Sequence, residues 1–84
     1  MRYLVSYDLD KRCQSHDALW NQLEQQGGQR VLLSQWVVER DGTNAAGLRD
    51  HLRQFIHGTD RLLAVSLDSG DWASWNAMVD TASP

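Results

Sequence analysis

Four β-forming runs and two glycine-ended helical periods follow one another in the order β-α-β-β-α-β, and few folds accept that order in a chain of 84 residues. The first run, Arg2-Tyr3-Leu4-Val5-Ser6-Tyr7-Asp8, sets the frame. Its β-branched and aromatic residues suit a pleated, packed surface. Alternation puts Tyr3, Val5 and Tyr7 on one side and Leu4, Ser6 and Asp8 on the other. Neither side is strongly polar before Asp8, the pattern of a central strand covered on both faces. Asp8 then falls at the strand's carboxyl end, where α/β sheets often place their chemistry.

The rest of the chain follows in short elements. After a polar loop over Asp10–Gln14, Ser15 predicts an N-cap, with Asp17 in the first turn of a helix from about His16 to Gln26. Leu19 and Leu23 lie on one face of it, and Gly27-Gly28 ends it. Gln29–Glu39 reads as two antiparallel strands, Arg30–Leu33 and Trp36–Glu39, with a turn near Ser34-Gln35; one long bent strand is the alternative. Thr43 predicts the cap of a second helix, about Asn44 to His57, whose Leu48, Leu52, Phe55 and Ile56 share a face and which Gly58 stops. Arg61–Leu67 is the last strand, with Leu63, Val65 and Leu67 on one face and Leu62, Ala64 and Ser66 on the other. Beyond Ser69-Gly70, Asp71 predicts the cap of a short helix carrying Trp72, Trp75 and Val79.

Together these elements predict one α+β domain over residues 1–84: a ferredoxin-like sandwich with two helices on one face of an antiparallel sheet, plus a short Trp-rich C-terminal segment. If the helices cover Tyr3, Val5 and Tyr7, the open face is expected to carry Leu4, Ser6, Asp8, Leu62, Ala64 and Ser66. Those groups are small or apolar until Asp8, which points to sheet-to-sheet homodimerisation. A chain this short buries only about 60–65% of its unfolded surface, so a second copy would stabilise it. Four Trp residues must likewise sit in a core or an interface.

Charge narrows the partners. Eleven acidic and eight basic side chains leave a net charge of −3, which argues against tight, non-specific nucleic-acid binding. Seven of the eight basic residues are Arg, which suits a local phosphate contact. The single cysteine, Cys13, excludes an intrachain disulfide and fits a reducing, cytoplasmic setting. No run approaches the ~18 apolar residues of a membrane span.

Asp8 and Asp10, two residues apart at a strand end, are suited to share a hard divalent cation, which prefers oxygen ligands. In a twofold dimer Asp8 would instead meet its own copy. The alternative is that Asp8 caps the following loop, as Asx turns do. Lys11 and Arg12 either hold phosphate beside these carboxylates or neutralise them. Arg30, Arg49 and Arg53 are further phosphate candidates, although Arg49 and Arg53 sit with Asp50 in an ordinary mixed-charge pattern. His16, His51 and His57 form no metal motif, and the chain has no H-E-x-x-H, C-x-x-C, P-loop or G-x-G-x-x-G. Cys13 lacks a positioned base, and Ser34 lacks the G-x-S-x-G context. Trp36, Trp72 and Trp75 suit either nucleobase stacking or packing, and packing is the commoner use of large rings.

Four stretches in this order, Tyr7-Asp8-Leu9-Asp10-Lys11-Arg12, Gly28-Gln29-Arg30-Val31, Ser34-Gln35-Trp36 and the apolar run Leu62–Leu67, resemble the CRISPR-associated protein 2 superfamily. Its members are small ferredoxin-like nucleases related to VapD-type toxin ribonucleases, and this chain looks like a divergent acidic member. The resemblance implies a homodimer with sheets face to face and one Asp8 per subunit binding Mg²⁺ or Mn²⁺. It implies a metal-dependent endonuclease acting on RNA or DNA, with Asp8 as catalytic metal ligand, Arg12 as phosphate contact and Ser34 as a supporting group; Arg30 remains a nucleic-acid contact candidate. In the CRISPR setting such a dimer serves as a DNA-binding scaffold for the integrase. The first helix here carries no Lys or Arg, whereas members that hold DNA tend to be basic there. The reading from a different class is a non-catalytic scaffold or interaction module of the same fold that engages a protein partner.

Overall fold

The computed structural model describes residues 1–10, 16–68, 71, 73 and 75–78. Its elements run β1 (Arg2–Asp8), α1 (His16–Gln25), β2 (Gln29–Leu32), β3 (Gln35–Glu39), α2 (Ala45–Leu52), a 3₁₀ turn (Arg53–Phe55) and β4 (Arg61–Ser66). The four strands form one sheet in the order β2-β3-β1-β4, and β1 pairs antiparallel with both β3 and β4. This is the expected ferredoxin-like arrangement with β1 inside the sheet. The single bent strand does not occur: β2 and β3 form a hairpin turning at Leu33–Ser34, with a bulge between Arg30 and Leu32.

The core lies on one face of the sheet. Tyr3, Val5 and Tyr7 of β1, with Trp36 and Val38 of β3, pack against Leu19 and Leu23 of α1 and Leu48 and Leu52 of α2. One hydroxyl organises the carboxyl end of β1. The Tyr7 hydroxyl accepts from Trp36 Nε1 at 3.1 Å and from Trp20 Nε1 at 2.6 Å, and donates to the Leu33 carbonyl at 3.4 Å. It therefore ties α1, β3 and the hairpin turn to the residue before Asp8. Trp20 and Trp36 are accordingly packing residues, as their size suggests.

Helix ends explain the boundaries. Gly27, at φ +76°, is the left-handed C′ residue of α1. Its N–H donates to the Glu24 carbonyl at 3.1 Å, and Gly28 N–H donates to the Leu23 carbonyl at 2.8 Å, which together make a Schellman closure. A Cβ on Gly28 would lie 2.6 Å from that Leu23 carbonyl oxygen and 3.2 Å from Trp36. Gly28→Ala is therefore expected to destabilise the fold by about 2 kcal/mol, because backbone rather than a flexible side chain must move. A denaturant titration with an unchanged slope and a lowered midpoint checks this.

Three sequence expectations are corrected. The cap of α2 is Asn44, not Thr43: Asn44 Oδ1 accepts from Gly47 N–H at 2.8 Å, so the helix starts one residue later. The helix expected to reach His57 gives way to the 3₁₀ turn at Arg53 and becomes extended at Ile56. The C-terminal helix is absent among the described residues: Asp71, Ala73 and Trp75–Met78 show only bends and coil, with Asn76 at φ +52°. Met78 N–H instead donates to the Val31 carbonyl at 2.7 Å, laying the segment beside the bulge of edge strand β2. Ser15, Ser69, Gly70, Trp72 and Val79 lie outside the described residues. No helix among the described residues is long and apolar enough to cross a membrane.

Candidate metal centre at the end of β1

Register decides what surrounds Asp8. Directly opposed residues of antiparallel strands share a face. Tyr3, Val5 and Tyr7 oppose Ser66, Ala64 and Leu62, so those three residues of β4 share the helix-side face, where Leu62 and Ala64 pack against the core and Ser66 stays exposed at the strand end. Leu62, Ala64 and Ser66 therefore do not line the open face, contrary to expectation. Arg61, Leu63 and Val65 take their places, because a one-residue change of register exchanges every side chain between faces.

The open face is built in cross-strand rows. Arg2 meets Glu39 at 3.2 Å at one end. Leu4 lies between Val37 and Val65, and Ser6 lies between Gln35 and Leu63. Asp8 beside Arg61 closes the other end. Leu63 is 58% exposed and Val65 40%, so the middle of this face presents apolar groups to solvent. A shallow concavity of about 180 Å³ lies at the Asp8 end, lined by Ser6, Tyr7, Asp8, Arg61, Leu62 and Leu63.

Asp8 is exposed, and among the described residues its carboxylate takes part in no hydrogen bond or ion pair. The loop-capping role that was the alternative for Asp8 is filled at the Asp10 N–H by Asp60. Its Oδ1 accepts from Asp10 N–H at 2.5 Å, and its Oδ2 accepts from His57 N–H at 2.8 Å. Asp10 is thus anchored through its backbone to the entry of β4, while Asp8 points onto the open face. Sequence reasoning missed Asp60. The only local signal was the Gly58-Thr59 turn before β4, and Asp10 is fifty positions away along the chain.

The other candidates divide. Ser34 reaches the Asp8 end: its carbonyl accepts from Tyr7 N–H at 3.1 Å, one residue beyond the last β1–β3 pair. Arg30 does not. It opposes Trp36, on the helix-side face, and its guanidinium stacks 4.8 Å over the Trp20 ring. Lys11, Arg12 and Cys13 lie outside the described residues. His51 is structural, with its Nε2 3.3 Å from Gln22 Oε1 and 3.2 Å from Gln26 Nε2 between the two helices.

Among the described residues no group of three or more His, Cys, Asp or Glu is gathered as a ligand set. One subunit offers one free carboxylate at this position. Exposed, unpaired carboxylate oxygen is the donor that Mg²⁺ and Mn²⁺ prefer, and Mg²⁺ is commonly held by one or two carboxylates with waters and substrate phosphates completing the shell. A single carboxylate of this kind is chemically suited to such an ion, and Asp8 would be the one carboxylate that a subunit brings to it among the described residues.

The ferredoxin-like order, the central first strand and the carboxylate at its end coincide with a match in sequence. A family model described as CRISPR associated protein Cas2 matches residues 1–74. That span includes the whole sheet and both helices. The chain belongs to the CRISPR associated protein Cas2 family, whose known function is of nuclease type.

Proposed function

We propose that the chain works as a homodimer that hydrolyses phosphodiester bonds in RNA or DNA, using Mg²⁺ or Mn²⁺ held between the Asp8 carboxylates of two subunits. The observation that carries this reading is the state of Asp8: exposed, at the end of a central strand, and free of partners among the described residues. An Asp kept for structure is normally engaged by nearby backbone N–H groups, and here Asp60 takes that duty. The apolar rows beside Asp8 support the dimer, since covering Leu4, Leu63 and Val65 with a second sheet buries groups that otherwise meet water.

Within this site Asp8 would hold the cation. Arg61, beside Asp8, offers a guanidinium to a phosphate oxygen. Ser34 stands at the neighbouring turn, and Arg12 follows in sequence as a further phosphate contact. When bound, a divalent cation supplies Lewis acidity towards the phosphodiester. The test is cleavage of labelled single-stranded RNA and double-stranded DNA with Mg²⁺, with Mn²⁺ and with chelator. Cutting that needs the metal supports the reading, and its absence on both substrates from an intact dimer removes it.

The dimer has its own test. Leu63→Arg puts a charge in the middle of the paired face. Burying it unpaired costs several kcal/mol, so the dimer dissociation constant should rise by on the order of a hundredfold or more. Light scattering should show monomer at concentrations where the parent is dimeric, with little change in melting temperature of the monomer itself.

A second reading is favoured by two observations: the net charge of −3 and Trp75, 87% exposed on the C-terminal segment. Both suit a non-catalytic scaffold that engages a protein partner. That function survives Asp8→Ala, whereas nuclease activity does not.

A further inference from the structure

A second cavity lies on the other side of β4. It holds about 600 Å³ and is lined by Arg49, Arg53, Ile56, His57, Asp60 and Leu62. Arg49 lies in α2 and Arg53 opens the 3₁₀ turn that follows it, and both side chains line this cavity. His57 adds an imidazole from the following turn. Half-buried Ile56 and Leu62 add an apolar part to a mostly polar lining. Leu62 lines this cavity and also the concavity around Asp8, whereas Arg61 lines only the latter.

Asp50 and Asp60 balance the formal charge of Arg49 and Arg53, so an anion here depends on guanidinium donors that those carboxylates leave open. The two carboxylates near the cavity are already engaged. Asp60 accepts the N–H groups of Asp10 and His57. Asp50 is bound to Arg49 at 2.9 Å and lies 4.0 Å from Arg53 Nη1, so a single carboxylate serves two guanidiniums. Arg53 is 67% exposed at its side chain, and one 4.0 Å approach to Asp50 engages only part of its five-donor guanidinium.

We infer that this cavity is a phosphate-ester site, distinct from the Asp8 centre, in which Arg49 and Arg53 hold the phosphate, His57 donates a further hydrogen bond, and Ile56 and Leu62 support the attached sugar or base. Guanidinium pairs match phosphate oxygens in geometry as well as charge. The site does not rest on the nuclease reading, and it stays open in a dimer that pairs the other face of the sheet. The phosphate is supplied either by a free nucleotide or by the backbone of a polynucleotide that crosses the β4 edge.

The test is a titration of the ¹⁵N-labelled full chain with inorganic phosphate, adenosine 5′-monophosphate and a short single-stranded oligonucleotide, followed by amide chemical shifts. The variants are Arg49→Gln with Arg53→Gln, and separately Asp8→Ala. Saturable shifts at Arg49, Arg53, His57 and Leu62 are expected with a phosphate ester. They should weaken at least tenfold in the double Gln variant and persist in Asp8→Ala. For the oligonucleotide, losing two phosphate contacts should make the slope of log K against log salt shallower by roughly 1.4. Response to both esters assigns a nucleotide site, and response to the oligonucleotide alone assigns a backbone contact; either supports the proposal. No response at these residues at millimolar probe, or equal binding by the double Gln variant with its spectrum otherwise intact, overturns it.

Discussion

Asp8→Ala is expected to reduce metal-dependent cleavage by at least about a hundredfold while leaving the fold intact. The first half follows from the role proposed for the carboxylate. Metal-ion charge stabilisation contributes several kcal/mol to a transition state, and each 1.36 kcal/mol is tenfold in rate. In a twofold dimer one substitution also deletes both ligands at once. The second half follows from position. Asp8 is exposed at a strand end and has no partner among the described residues, so its removal should change stability by no more than about 0.5 kcal/mol. Single-turnover cleavage alongside thermal melts separates the two effects. Undiminished Mg²⁺-dependent cutting by the variant would remove Asp8 from the chemistry.

The largest effect on stability is expected one residue earlier. Tyr7→Phe keeps the ring and its packing but deletes the oxygen that accepts from Trp36 Nε1 and Trp20 Nε1. A buried donor left without a partner costs about 1–3 kcal/mol. Trp36 is 4% exposed and has no route to water, whereas half-buried Trp20 can recover part of its loss from solvent. The sum is about 2–3 kcal/mol, or roughly 10–20 °C in melting temperature for a domain of this size. Trp20→Phe should lose less of this hydrogen-bond energy than Tyr7→Phe does. A cost below about 0.5 kcal/mol for Tyr7→Phe would mean that the hydroxyl does not hold the strand end. The loss also loosens the anchor behind Asp8, so cleavage by the folded variant should fall as well.

The parts of this protein legible in sequence are those set by local pattern. The alternation of Tyr3, Val5 and Tyr7 is strong enough to show a two-faced central strand, and glycine at Gly27-Gly28 closes α1 as its conformational freedom allows. What sequence leaves open is set by contacts between distant segments. Residues of β4 alternate whichever way the strand faces, and only its pairing with β1 tells Leu63 and Val65 from Leu62 and Ala64. Thr43 and Asn44 are both good caps, and the choice between them turned on one backbone residue at the helix start. Asp60 took the capping duty from Asp8 through a contact fifty residues long. Arg30 read as a phosphate contact because a lone arginine carries no mark of the Trp20 ring it stacks on. The Trp-rich segment has the spacing of a helix, yet its described residues lie beside β2 in coil, where Met78 bonds to the bulge at Val31.

The most direct measurement of the central claim is the stoichiometry of Mn²⁺ binding, read by electron paramagnetic resonance on protein whose mass is fixed in parallel by light scattering. A carboxylate pair shared across the twofold axis predicts one tightly bound ion for every two chains. That binding should vanish in Asp8→Ala, and it should also vanish in Leu63→Arg once the dimer has separated. One ion per chain, or binding indifferent to Asp8→Ala, would contradict a site made by two copies of Asp8.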